Sequence, residues 1–167
     1  MVASSRPDTP CIGICSAGIG DSVCRGCMRC AHEVSQWNAF SAAERQLVWA
    51  RLDRFLVQIV DNRLELLDVA LLKAALTTWN IPCDPARPPQ RWLYDLLRLA
   101  GSRIGDPAIC GFGILPGSAD LDTAQLCRAI EREWHALSLA HFERYIAPGL
   151  GLMQSSRPRQ GCNKAGF

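Results

Sequence analysis

Lysine is nearly missing from this chain. It stands only at positions 73 and 164, and arginine supplies the other basic residues. We read that as codon usage before function. Basic and acidic residues almost cancel, with 18 Lys and Arg against 16 Asp and Glu and a formal charge of +2. A surplus that small does not indicate a nucleic-acid partner. The chain also lacks a run of about 18 uninterrupted apolar residues, which argues against a membrane span. Its richest segment, residues 47–60, is broken by Arg51, Asp53 and Arg54. The opening MVASSRPDTP has no apolar core of a signal peptide. No GxSxG nucleophile elbow occurs. The GxG at Gly111-Phe112-Gly113 opens neither a GxGxxG nor a GK[ST] motif, so it is not a phosphate loop.

What the chain does have is cysteine, nine in 167 residues. Nine is odd, so complete pairing within one chain is impossible. Without an export signal, this many thiols point to a reducing, cytoplasmic setting and to metal or free thiols rather than disulfides. Five of them fall in residues 10–37. Cys11 and Cys15 form a C-x3-C pair, and Cys24, Cys27 and Cys30 form C-x2-C-x2-C. Such spacings let two thiolates reach one metal from a tight turn, and the interspersed glycines let the backbone bend around it. Two pairs a short loop apart can supply four sulfurs at one point, the shape of a structural Zn(II) or an iron–sulfur site. His32, two residues past Cys30, can complete a mixed site, although four cysteines already suffice.

The rest reads as helices. Residues 31–37 form a short one, with Val34 and Trp37 on one face. Trp37 is either a shield for the sulfurs or a core anchor, and the second reading is favoured. Ser41 and Glu44 make a capping box, followed by a stripe of Val48, Leu52, Phe55 and Ile59. Residues 63–79 are expected to be helical, with Asp61, Glu65 and Asp68 on one acidic, solvated side. Four prolines in residues 80–90 mark the best internal boundary. Residues 91–103 give an amphipathic helix, facing inward through Trp92, Leu96 and Leu99 or through Leu93, Leu97 and Ala100. A Gly- and Pro-rich stretch follows, in which residues 109–115 can be extended. Asp122 and Gln125 open the last helix, with Leu126, Ile130, Trp134, Leu137 and His141 in one stripe. Cys83 sits between prolines, Cys110 is expected to be buried, and Cys127 lies one step off the last stripe. Residues 1–9 and 154–167 read as flexible ends, the latter leaving Cys162 exposed.

The ordered run Pro10-Cys11-Ile12-Gly13-Ile14-Cys15, then Cys24-Arg25-Gly26-Cys27-Met28-Arg29, then Glu33, Val34, Trp37, Ser41 and Glu44 resembles a small bacterial family. Its members are short, uncharacterised, YdhL-like predicted Fe–S proteins. The pattern is roughly PCxGxC, CxGCxRT, EIxxW and MSxxE, and it covers about residues 9–52. The resemblance implies that Cys11, Cys15, Cys24 and Cys27 hold an iron–sulfur cluster. Cys30 stands where the family has Thr, as a spare thiol or as a replacement for one of the four.

The expected fold is therefore mainly α. A loop-rich, metal-nucleated cysteine module with its following helix spans 1–60. A helical region spans 61–153, and a tail spans 154–167. The leading expectation is a metal-binding accessory protein, iron–sulfur and redox-active, with a protein partner. The alternative is a structural zinc module for protein interaction. A third is an enzyme using Glu131, His135 or Cys110 among the C-terminal helices.

Overall fold

The computed structural model describes residues 9–151. The expected flexible ends, apart from Thr9, lie outside the described residues, as does Cys162. The described chain is mainly α, as its periodicity predicts. In order it forms α1 (Ala31–Ser35), α2 (Ala42–Asp61), β1 (Leu64–Leu66), α3 (Val69–Thr78), α4 (Pro89–Ala100), β2 (Phe112–Ile114) and α5 (Thr123–His141). A π-helical turn, Phe142–Ile146, and a 3-10 turn, Ala147–Leu150, continue α5.

Local chemistry sets the starts of the two long helices. The Ser41 hydroxyl accepts from the Glu44 N–H, and Glu44 Oε2 accepts from the Ser41 N–H at 2.7 Å. Asp122 and Gln125 do the same for α5, at 2.7 and 2.9 Å. Each box satisfies two of the orphan donors at a helix start. Helix α2 then packs on both α4 and α5, and α3 packs on α4. One core joins these helices, drawing Leu52, Leu56, Leu72, Leu93, Leu96, Phe112, Leu126, Ile130 and Trp134 to almost complete burial. That core also takes in Met28 and Trp37 from the cysteine-rich end. A smaller cluster of Val23, Cys30, Phe142 and Ala147 seats the same end on the π-helical turn.

Residues 63–79 are not one helix. Leu64–Leu66 is a strand, pairing antiparallel with β2 so that Leu64 faces Ile114 and Leu66 faces Phe112. Helix α3 starts only after Asp68, whose side chain caps it by accepting from the N–H groups of Ala70 and Leu71. Asp61, Glu65 and Asp68 therefore do not form one acidic helix face. They end α2, lie in β1 and cap α3. Asp61 accepts from the Gln90 amide at 3.0 Å. The extended piece foreseen in residues 109–115 is β2. Its entry needs Gly111, where φ is +79° and an added Cβ would overlap the Asp68 carbonyl oxygen. The Gly111 carbonyl in turn accepts from the N–H groups of Leu67 and Asp68, both at 2.9 Å. On α4 both proposed inward faces are buried, except that Leu99 is exposed.

Phe112 is fully buried where β2 meets the helices. Phe112→Ala should cost about 3–5 kcal/mol in urea unfolding. A loss below about 1 kcal/mol would mean that the strand pair is not part of the cooperative core.

Candidate metal centre

Residues 23–30 form a closed loop. Val23 and Cys30 meet as an isolated antiparallel bridge. The Cys24 N–H donates to the Arg29 carbonyl and the Met28 N–H to the Cys24 carbonyl, each at 2.8 Å. Met28 takes φ +60°, unusual for a residue with a side chain, and its side chain is buried in the main core. The loop is thus tied to the fold at the residue that follows Cys27.

The segment bearing Cys11 and Cys15 lies against this loop. A Cβ on Gly26 would overlap the Ile14 carbonyl oxygen, so only glycine fits there. The Cys24 thiol donates to that same carbonyl at 3.7 Å. The Arg25 N–H donates to Ser16 Oγ at 2.8 Å.

Cys24 and Cys27 are both buried, in the same tight turn. Burial pushes the Cys24 thiol up. The backbone N–H groups of Cys27, Gly26 and Ser16, together with the Cys27 thiol, outweigh it and bring Cys24 down to about 6. The neighbour behaves oppositely. Burial raises the Cys27 thiol, and the Arg29 Nε–H donated to Cys27 Sγ at 3.3 Å only partly offsets this. The Arg29 guanidinium stacks over Trp37, 4.6 Å from the ring centroid. Trp37 thus belongs to the core, as favoured, and reaches the sulfurs through Arg29.

Cys30 has a different setting. It sits at the start of α1 with Glu33 in the box position, and Glu33 Oε2 accepts from the Cys30 N–H at 2.8 Å. Arg51 of α2 donates to Glu33 at 2.7 Å and to Cys30 Sγ at 3.4 Å. Burial and the Glu33 charge push the Cys30 thiol up to about 11 despite Arg51. Cys11 and Cys15 are exposed. Cys15 immediately precedes the 3-10 turn Ser16–Ile19. Among the described residues, no three His, Cys, Asp or Glu side chains are gathered as a ready metal site. The structure brings Cys24 and Cys27 together, places the 11–15 segment on the same loop, and gives Cys30 to Arg51.

The remaining cysteines and histidines among the described residues are dispersed. Cys110 is buried as expected, and burial raises its thiol. Cys127 donates to Glu131 at 3.8 Å, and burial with the Glu131 charge pushes it up to about 12. Glu131 also accepts from the Tyr94 hydroxyl at 3.2 Å, whereas His135 Nε2 meets the Val23 carbonyl at 3.2 Å. His135 thus fastens α5 to the cysteine loop. His141 lines a cavity with Arg54, Phe55 and Tyr145, and Cys110 is not among its walls.

Sequence reasoning missed Ser16, Arg29 and Arg51. The contribution of Ser16 at Cys24 is a backbone N–H, which no side-chain pattern announces. Arg29 had a signal, since the CxGCxR pattern ends on it.

Residues 9–55 match a family model described as "Protein of unknown function (DUF1289)", an uncharacterised cysteine-rich family. The span nearly coincides with the 9–52 read from the motifs. Comparison with curated proteins and with solved structures found no match.

The metal-free protein should show one thiolate titrating near pH 6, read by far-ultraviolet thiolate absorbance. Cys24→Ser should abolish that step. Because the fold favours the thiolate, this residue's contribution to stability is complete above its ordinary value and is lost as pH falls through about 6. A first thiolate step above pH 8, near the ordinary cysteine value, would contradict the arrangement.

Proposed function

We propose that residues 11–27 form a thiolate metal-binding module and that the chain is a metal-binding accessory protein rather than an enzyme. The packing of the 11–15 segment onto the Cys24–Cys27 turn, with the Ile14 carbonyl against both Gly26 and the Cys24 thiol, carries this reading, and nearby backbone N–H groups favour charge on Cys24. Backbone N–H donors that favour the charged sulfur are what a metal-bound thiolate needs in a buried setting. The donor set therefore fits a sulfur-ligated metal at Cys24 and Cys27. Cys11 and Cys15 would complete four ligands from the segment already resting on Gly26, with no need of Cys30.

An iron–sulfur cluster is the leading occupant, from the resemblance of residues 9–52 to predicted Fe–S proteins. It would supply one-electron chemistry, for electron transfer or for oxidant sensing. Its potential would be tuned by the N–H groups at Cys24 and by Arg29 at Cys27. Zn(II) is the second reading. The direct backbone contact between Ile14 and Gly26 leaves little separation between the two halves of the module, which suits a single ion. In that case metal binding would fix the 11–15 segment, and the module would present a surface. Exposed Ile14 and Ile19 beside the cysteines suit a protein partner in either case. The partner and a cytoplasmic location are part of this proposal. No helix of the described residues is long and apolar enough to cross a membrane.

Anaerobic purification with elemental analysis and a visible spectrum separates these outcomes. Iron with matching sulfide and a broad thiolate-to-iron band supports the cluster, and stoichiometric colourless zinc supports the structural module. Cys24→Ala and Cys27→Ala should each lose most of the metal, whereas Cys127→Ser should retain it. Full metal content in both of the first two variants would overturn the ligand assignment.

A further inference from the structure

A cavity of about 300 Å³ lies between the segment 9–12 and helix α4, lined by Pro10, Ile12, Trp49, Arg91, Asp95 and Arg98. Its size is at the lower end of small-molecule sites. Arg91 is only 7% exposed. Its guanidinium is enclosed by aromatic rings, 5.5 Å from the Trp134 centroid, 5.7 Å from Tyr94 and 5.8 Å from Trp49. Its Nε and Nη1 are buried without a hydrogen-bond partner, and so is Nε of Arg98. Asp95 lies between the two arginines. It is 3.5 Å from Arg91 Nε and 3.7 Å from Arg98 Nη2, close enough for charge attraction but not for a hydrogen bond to Arg91. Arginine cannot shed its charge, and a buried guanidinium with free N–H groups calls for an acceptor. Among the described residues, the α4 wall of the cavity carries two guanidinium groups and one carboxylate, a balance that favours an added negative charge.

We propose that this cavity binds a small organic oxyanion, a carboxylate or a phosphate monoester, held by Arg91 and Arg98 with its apolar body against Trp49, Pro10 and Ile12. The planar fork of arginine matches both oxyanions in the same way. The inference does not rest on the metal reading, since neither arginine is a proposed ligand; Cys11 contributes only a wall.

Isothermal titration of the full chain with benzoate and, separately, with phenyl phosphate tests it. Saturable binding of either at one site supports the proposal and identifies the headgroup. Arg98→Gln, at a partly exposed position, should weaken that binding roughly tenfold while leaving the circular dichroism spectrum unchanged. Arg91→Lys keeps the charge but loses the fork, and should weaken it as well. Should Arg91→Lys fail to fold, Arg98→Gln decides alone. No saturable binding of either compound, or native affinity in Arg98→Gln, would overturn the proposal.

Discussion

Two segments of chain meet at the buried Cys24 sulfur, where backbone N–H groups from both favour the charged form, and the cysteine-rich end of this protein depends on that meeting. Two of the donors, on Gly26 and Cys27, come from the turn that follows Cys24. The third, on Ser16, comes from the other cysteine pair's segment. The sulfur therefore joins two pieces of chain whose regular structure is slight, the 3-10 turn Ser16–Ile19 in one and the Val23–Cys30 bridge in the other. Gly26 admits the Ile14 carbonyl, and Ser16 Oγ accepts from Arg25, so the two pieces meet through backbone. Such a junction tolerates negative charge on sulfur, which a hydrophobic core does not. Cys110 and Cys127 show the contrast, with thiols pushed up by burial.

The helical body holds this loop from several sides. Arg51 on α2 reaches Glu33 and Cys30, and His135 on α5 reaches Val23. Met28 and Trp37 are built into the main core. Both long helices thus carry a polar contact to the cysteine module. The module's geometry and the helices' packing depend on each other. Arg29 shows this at the site itself, with one side of its guanidinium on Trp37 and its Nε–H on Cys27.

Much of the fold was legible because its signals are local. The Ser41 and Asp122 boxes and the apolar stripes behind them need only a few neighbouring residues to be read. Leu64-Glu65-Leu66 was misread because its local pattern suits a helix equally well. Its strand partner lies near position 113, and only tertiary pairing selects the extended form. The site divides in the same way. The cysteine spacing picked out Cys24 and Cys27, which the structure places together. The Ser16 donor was invisible, because a backbone N–H belongs to every residue except proline. Arg91 read as an ordinary helix position. Its burial among three aromatic rings comes from α2, α4 and α5 meeting around it.

Sulfur ligation at Cys24 is tested most directly by metal-edge X-ray absorption of the anaerobically prepared protein. It predicts a first shell of sulfur alone, about four atoms at about 2.3 Å from the metal. Cys24→Ala should remove that signal together with the metal. A first shell of oxygen or nitrogen, or an unchanged sulfur shell in Cys24→Ala, would contradict it.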